Sequence, residues 1–309
     1  MRPMATRRTL PFHFVDVFAV EPLTGNPLAV VDGGEDLPIE TFQRIAREFN
    51  QSETTFVLPA TRAGADWRLR SFSPAGVEVF GTGGHNTLGA WWWLAESGRL
   101  RLRQATGSTE GVDRFHQEIG AGVFPVTILS DAGQPRSVVM EQAPPVAGAR
   151  IDDIVALARA LGIDASDLAV DRAPCQVVST GVAHLMVPVR TREAVDRIRP
   201  DARTLLDALR AAGGEGCYVF SLDPGLPGAA AYARFFNPTI GIAEDPATGT
   251  AAGPLAAHLV AHGLASAGLI AIEQGTAMGR PSLIGVEVGL STVRISAHAV
   301  TSASGQLRV

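Results

Sequence analysis

Apolar residues in the first half of the chain fall into short runs that alternate or cluster, as they do in β-strands. Glycine, proline and asparagine bound these runs. The pattern predicts strands over residues 12–18, 28–31, 54–58 and 67–72. Residues 38–50, PIETFQRIAREFN, instead place apolar side chains at helical spacing, which predicts an amphipathic helix. This helix leads directly into Glu53 and its two preceding residues.

Two segments share a different pattern, a polar loop rich in glycine and threonine followed by small and apolar residues. The first is residues 81–87 followed by LGAWWWLAESG, and the second is residues 244–250 followed by AAGPLAAHLVAHG. Each predicts a loop that enters a helix apolar nearly all round, as buried helices are. We interpret the pair as a degenerate internal repeat. The second apolar stretch continues to Ile272, but its proline and histidines favour a core helix over a membrane span.

The length of the chain favours two domains. Its 309 residues are 46% hydrophobic, enough to bury a large core. The segment 143–150, APPVAGAR, is rich in proline and glycine and is the best candidate for the connection between the two domains. We predict domains over residues 1–145 and 146–309, and the sequence leaves open a final strand, from Val286 onward, that crosses back to the first domain. Residues 1–8 are predicted to be disordered.

Charge and cysteine content indicate which binding partners and which cellular compartment to expect. The formal net charge of −5 comes with no basic cluster, so neither nucleic acid nor an anionic membrane is expected as a partner. The N-terminus lacks the pattern of a secretory signal. Only Cys175 and Cys217 are present, too few for a disulfide framework. We therefore expect a cytoplasmic protein with reduced thiols.

The absence of one residue type excludes whole classes of chemistry. All 26 basic residues counted as lysine or arginine are arginine. Without lysine there is no internal Schiff base with pyridoxal phosphate or a carbonyl substrate, and no lysine of a nucleotide-binding phosphate loop. No Gly-x-Ser-x-Gly elbow or complete dinucleotide-binding fingerprint follows a strand. His258 and His262 share a helix face, but the glutamate of a zinc protease is missing, and no metal site is expected.

The two loop-helix segments carry the candidate chemistry. The N-terminus of a helix presents unpaired N–H groups and a positive dipole end, which bind anions such as carboxylates. His85, in the first loop, is suited to hydrogen bonding or proton transfer, or to capping the helix. Asp245 and Thr250 lie in the second loop. Each is suited either to capping the helix that follows or to a role in the active site.

Glu53 lies between the predicted helix and the apolar strand 54–58, where a carboxylate can be buried. Burial would raise its pKa toward neutrality, the property required of a general acid/base. A solvated surface glutamate is the other interpretation of the same position.

The chain strongly resembles the PhzF family of phenazine-biosynthesis isomerases. The resemblance rests on five segments in the order of the family, spread over nearly the whole chain: FVDVFAVEPLTGNPLAVV, QRIAREFNQSETTFVL, GGHNTLGA, EDPATGTAAGPLAAHL and MGRPSL. It implies the α+β fold of diaminopimelate epimerase, in which two similar domains each wrap β-strands around a central helix. In that fold the active site lies in the cleft between the domains.

The resemblance also implies site residues and an activity. Glu53, His85 and Asp245 match catalytic positions, and Gly84, Asn86, Gly249 and Thr250 match substrate-binding positions. The implied activity is a cofactor-independent double-bond shift on a small cyclic amino-carboxylate such as trans-2,3-dihydro-3-hydroxyanthranilate, catalysed by a homodimer. The sequence departs from the family in a longer stretch over residues 74–85, in Asn86 for proline and in Thr250 for serine.

Two alternatives to this activity remain. One is epimerisation or racemisation of an amino acid on the same scaffold. Two-thiol racemisation is not expected, because neither loop carries a cysteine. The other is a ligand-binding protein that has kept the fold without the activity.

Overall fold

The computed structural model describes residues 8–81, 84–103 and 110–309. Within these ranges the chain forms eighteen strands and six α-helices, which confirms the predicted α+β class. The strands are β1 Thr9–Val17, β2 Asn26–Asp32, β3 Thr54–Pro59, β4 Trp67–Phe72, β5 Glu78–Val79, β6 Glu110–Ile119, β7 Gly122–Asp131, β8 Gln134–Gln142, β9 Val146–Arg150, β10 Gln176–Ser179, β11 Ala183–Pro188, β12 Gly216–Ser221, β13 Ala231–Asn237, β14 Ile242–Asp245, β15 Gly268–Gln274, β16 Ser282–Val288, β17 Val293–Ala297 and β18 Ala299–Arg308. The helices are α1 Ile39–Phe49, α2 His85–Glu96, α3 Ile154–Leu161, α4 Arg192–Arg197, α5 Ala202–Ala212 and α6 Gly249–Ala261.

The chain divides into two compact units. The first consists of Met1–Met140 with Ala297–Val309, and the second of Glu141–Ser296. Strand β18 pairs antiparallel with β1, so the end of the chain belongs to the first unit. Residues of the segment 143–150 form strand β9, which pairs with β10 inside the second unit. That residues 1–145 and 146–309 form two separate domains stays a prediction.

The first unit is a mixed sheet around one helix. Its strands run β18–β1–β2–β3–β4, with β5 and β6 both paired to β4, and then β6–β7–β8. The β2–β3 and β4–β6 pairs are parallel, as expected where a helix intervenes. Helix α2 contacts β1, β2, β3, β4 and β18. Its residues from His85 to Ala95 are all buried, as the apolar pattern predicts.

The second unit repeats this order. Its strands run β9–β10–β11–β12–β13, with β14 and β15 both paired to β13, and then β15–β16–β17. The β11–β12 and β13–β15 pairs are parallel. Helix α6 contacts β10, β11, β15 and β16. Each unit thus has one buried helix at the same place in the same topology, in agreement with the internal repeat.

The predicted amphipathic helix over residues 38–50 is α1. Pro38 is its N-cap and Asn50 its C-cap. Asn50 has a φ of 52°, the left-handed conformation that ends many helices, and its N–H bonds to the carbonyl of Ala46. The buried face carries Phe42, Ile45 and Ala46, which pack against aromatic residues of β3 and β4.

The prediction of one continuous core helix up to Ile272 is wrong. Helix α6 ends at Ala261, and Gly263 and Gly268 follow with φ of 67° and 123°. These left-handed conformations turn the chain so that the last apolar residues form strand β15. In the described part of the chain no helix is long and apolar enough to span a bilayer.

The disorder predicted for residues 1–8 falls, except for Arg8, outside the described residues. The Arg8 backbone pairs with that of Val309, and its side chain contacts Asp36.

Candidate active site

Glu53 is placed by the end of one element and the start of the next. Because Asn50 ends α1, only Gln51, Ser52 and Glu53 connect the helix to β3. Strand β3 begins with the fully buried Thr54. The side chain of Glu53 is 19% exposed, and its Oε2 atom is buried. This agrees with the buried carboxylate that the sequence pattern allows.

Glu53 lies against His85, the first residue of α2. The Oε2 atom of Glu53 is 3.1 Å from Nε2 of His85, a close contact that becomes an ion pair when the carboxylate is ionised and the imidazole protonated. Burial raises the pKa of Glu53 from 4.5 to about 7, because the ionised form loses its hydration. A carboxyl with this pKa can accept and return a proton near neutral pH. The first unit therefore brings together two of the three predicted catalytic residues.

The entry of α2 is held by a buried polar cluster. The Nδ2 atom of Asn86 donates a hydrogen bond to Oγ of Ser71 at 3.1 Å, and Ser71 bonds in turn to Oγ1 of Thr55 at 2.8 Å. A Cβ atom on Gly84 would lie only 2.6 Å from Oδ1 of Asn86, so a larger residue here would have to displace the Asn86 side chain. The side chain of Asn86 thus orients the helix entry, while its predicted substrate contact stays a prediction. Thr82 and Gly83 lie outside the described residues.

Asp245, the third predicted catalytic residue, is fixed in the second unit by Thr248 and Gln274. The hydroxyl of Thr248 donates to Oδ2 of Asp245 at 2.6 Å. The amide nitrogen of Gln274 donates to the backbone carbonyl of Asp245 at 2.7 Å and to Oγ1 of Thr248 at 3.1 Å. Its carbonyl oxygen accepts from Thr248 N–H at 3.0 Å and from the Tyr218 hydroxyl at 2.7 Å. All four hydrogen-bonding positions of this fully buried amide are used.

The same cluster explains the behaviour of Tyr218. Burial, with a smaller contribution from the negative charge of Asp245, raises the pKa of Tyr218 well above its usual value. Its hydroxyl therefore stays protonated and keeps donating to Gln274.

The entry of α6 contains the predicted binding residues Gly249 and Thr250. The carbonyl of Gly249 accepts a hydrogen bond from Nε2 of Gln142 at 3.1 Å. The hydroxyl of Thr250 lies 3.3 Å from Nε2 of His184, on strand β11. Among the described residues, no side chain caps the N-terminus of α2 or α6 through its N-cap residue. The positive dipole end of a helix N-terminus attracts anions, so each entry suits an anionic ligand.

The polar residues that support these entries were not predicted. They are Thr55, Ser71, Gln142, His184, Tyr218 and Gln274. The sequence feature that could have identified them is a polar residue inside or at the end of an apolar strand, such as the glutamine that ends GLIAIEQ.

Other candidate residues have packing roles. Cys175 and Cys217 are buried in the apolar core of the second unit, and burial raises the pKa of Cys175 to about 12. The ring centroids of His258 and His262 lie 4.5 Å apart.

Within the described residues no group of three or more histidine, cysteine or carboxylate side chains could hold a metal. Trp91, in the triple-tryptophan run, donates to Gln117 at 2.9 Å inside the core.

Comparison with known proteins places the chain in a family. A family model described as phenazine biosynthesis-like protein, PhzC-PhzF, matches residues 15–305. The chain is 34% identical to a protein of Pseudomonas fluorescens named trans-2,3-dihydro-3-hydroxyanthranilate isomerase, over 96% of this chain and 98% of that protein. This name agrees with the prediction of an isomerase.

Two solved structures share the fold. One, from Pseudomonas aeruginosa and described as a "predicted epimerase", is 32% identical with a TM-score of 0.78, over 96% of this chain and 99% of that one. The other, a phenazine biosynthesis protein of the PhzF family from Bacillus anthracis, is 26% identical with a TM-score of 0.83, over 98% of this chain and 100% of that one. The match of sequence model, relatives and structures over nearly the full length shows that the chain belongs to the PhzC-PhzF family.

Proposed function

We propose that this protein is a cofactor-independent isomerase in which Glu53 moves a proton on a small carboxylate-bearing substrate. The observation that carries the proposal is the contact of 3.1 Å between Glu53 Oε2 and His85 Nε2, at a site where burial raises the pKa of Glu53 to about 7. Near this pH both forms of the carboxyl group are populated, so the same residue can accept a proton and give it back.

The proposed step is balanced without any other reactant. The carboxylate of Glu53 takes a proton from a carbon atom of the substrate, and the electron pair left behind shifts the adjacent double bond. The protonated Glu53 then returns the proton to another carbon of the same substrate, and the carboxylate is regenerated. His85 Nε2 holds the carboxyl group in place and can hydrogen-bond the reacting hydroxyl.

We propose trans-2,3-dihydro-3-hydroxyanthranilate as the substrate. Its hydroxyl-bearing carbon gives up the proton and another ring carbon receives it, which produces a dienol. The dienol then tautomerises to the ketone, losing its hydroxyl proton as a ring carbon gains one. The support is the name of the Pseudomonas fluorescens relative at 34% identity. The N-terminus of α2, whose first residue His85 contacts Glu53, suits the carboxylate of such a compound. Asp245 keeps its predicted role of orienting the substrate, and Gly84, Asn86, Gly249 and Thr250 their predicted role of binding it. A homodimer and a cytoplasmic location also stay predictions.

Epimerisation of an amino acid is the second candidate. It is favoured by the description of the Pseudomonas aeruginosa structure at 32% identity as an epimerase. A single carboxyl group whose pKa lies near 7 suits proton removal from a carbon acid in either reaction. The two reactions differ in where the proton returns, to a different carbon or to the opposite face of the same carbon.

Turnover assays on matched variants test the proposal. The native protein, Glu53→Gln and the control Glu48→Gln are mixed with trans-2,3-dihydro-3-hydroxyanthranilate, and the loss of its absorbance is followed. Glu48 is exposed on the adjacent helix α1, so its variant should keep native turnover. Glu53→Gln should lose at least a hundredfold in kcat. Full turnover by Glu53→Gln would overturn the role of Glu53. No turnover by native protein would overturn the substrate and favour the epimerase assay.

A further inference from the structure

His184 contacts a residue of the proposed site without belonging to it. It lies on strand β11 with a side chain that is 2% exposed, and its Nε2 atom is 3.3 Å from Oγ1 of Thr250. The Phe235 ring packs against it in a T-shaped arrangement, with the ring centroids 5.1 Å apart. Thr250, the second residue of α6, is partly exposed.

The surroundings of the other ring nitrogen, Nδ1, indicate which nitrogen of His184 carries the proton. Nδ1 is buried and has no hydrogen-bond partner among the described residues. It faces the backbone of Gly216, the partner of His184 in the parallel β11–β12 pair, and a Cβ atom there would lie 3.1 Å from Nδ1. A proton on Nδ1 would therefore be a buried N–H without an acceptor, which folded proteins rarely tolerate. A proton on Nε2 can instead be donated to Thr250.

The ring is also neutral. Burial lowers the pKa of His184 to about 3, so one nitrogen alone is protonated at neutral pH. With its proton on Nε2, the ring always donates to Oγ1 of Thr250 and never accepts from it.

We propose that His184 is a positioning residue that donates a hydrogen bond from Nε2–H to Oγ1 of Thr250. The Thr250 hydroxyl then donates its own proton to an acceptor on the ligand. This position of the site then favours an acceptor such as a carboxylate oxygen and disfavours a donor such as an ammonium group. The inference rests on the proposed function in so far as Thr250 contacts the substrate. The tautomer of His184 does not depend on that function.

The first experiment needs no substrate. Nitrogen-15 NMR of histidine-labelled native protein, with the His184 signals assigned from their loss in His184→Met, reports the tautomer directly. The proposal expects a protonated Nε2 and a bare Nδ1 across the neutral pH range. A protonated Nδ1, or a doubly protonated ring, would overturn it whether or not the protein turns over any compound.

The second experiment is a double-mutant cycle in the turnover assay. His184→Gln keeps an N–H donor near the position of Nε2 and should keep a KM within about twofold of native. His184→Met and Thr250→Val should each raise KM about tenfold with little change in kcat, since each removes the same ordered donor. The double variant should show no further loss. Independent, multiplying effects of the two substitutions would contradict the proposal, as would equal losses in His184→Gln and His184→Met.

Discussion

The Oε2 atom of Glu53 lies 3.1 Å from Nε2 of His85, although one residue precedes a strand and the other begins a buried helix. The contact brings together the end of α1 and the start of α2, both of which belong to the first unit. It places a carboxyl group whose charged form is poorly solvated beside a polar group that can receive or stabilise its proton. A site of this kind is costly for stability and useful for proton transfer, and both consequences can be measured.

Replacing Glu53 by glutamine should stabilise the protein at high pH. Between pH 4.5 and about 7 the folded protein binds more protons at Glu53 than the unfolded chain does, so the free energy of unfolding falls as pH rises. Above about pH 7 the full cost, about 3 kcal/mol, is present. Denaturant unfolding should therefore show Glu53→Gln more stable than native by about 3 kcal/mol near pH 8, and nearly equal near pH 4.

Glu48→Gln is the control for this effect. Its side chain is exposed, and the change should alter the free energy of unfolding by less than about 0.5 kcal/mol at either pH. A Glu53→Gln variant less stable than native at high pH would show that the ionised carboxylate is well solvated or paired in the folded protein.

The activity should depend on pH through the same group. The base form of Glu53 is the ionised one, so kcat/KM should rise with pH, reach half of its plateau near the pKa of about 7, and level off above it. Rates measured over the neutral range at constant ionic strength test this. A profile that is flat from about pH 5 to 8 would mean that the working base has an ordinary carboxyl pKa.

Gln274 should be essential to the stability of the second unit. Gln274→Leu keeps the approximate volume but leaves the Tyr218 hydroxyl, the Thr248 N–H and the Asp245 carbonyl without their buried partner. We expect a loss of about 3 kcal/mol or more in the free energy of unfolding. Tyr218→Phe, which removes one hydrogen bond from the same cluster, should cost only about 1 kcal/mol. Equal costs of the two changes would contradict this description.

Gly253→Ala should destabilise α6 even though alanine favours helices. Its Cβ atom would overlap Oε1 of Gln142, which accepts a hydrogen bond from Thr180 at 2.8 Å. Displacing Gln142 would also break its bond to the carbonyl of Gly249. Thermal unfolding should show a net loss of about 1–2 kcal/mol, after the gain of up to about 1 kcal/mol that alanine brings to a helix.

Gly81→Ala is the matched control for the loop-helix segments. A Cβ atom at Gly81 meets nothing within 4 Å in the described part of the chain, and its φ is not in the left-handed region. Stability should change by less than about 0.5 kcal/mol. A stabilised Gly253→Ala variant would show that Gln142 can move without cost.

Local pattern was enough to predict the elements that carry the site. The extent and amphipathic character of α1, the buried helices α2 and α6, and the position of Glu53 before an apolar strand all follow from residues within a few positions of each other. The direction of the Glu53 pKa shift follows from the same position, because a carboxyl group next to a buried strand is poorly hydrated.

The partners that hold the site could not be predicted in this way. Gln274 reaches Asp245 because β13 pairs with both β14 and β15, and His184 reaches Thr250 because β11 packs on α6. These contacts depend on strand order across the sheet, which periodicity does not encode. The apolar run before Ile272 was assigned to a helix for a related reason, since short apolar segments suit either element until flanking glycines and tertiary contacts decide.

Deuterium incorporation from heavy water tests the central claim most directly. Trans-2,3-dihydro-3-hydroxyanthranilate is incubated in heavy water with native protein, Glu53→Gln or Glu48→Gln, and substrate and product are analysed by mass spectrometry and proton NMR. We expect native protein and Glu48→Gln to form product with deuterium on a ring carbon, because the proton held by Glu53 exchanges with solvent before its return or because tautomerisation to the ketone takes up a solvent proton. Glu53→Gln should give neither label nor product. Label and product from Glu53→Gln at the native rate would contradict the assignment of Glu53 as the proton-transferring group.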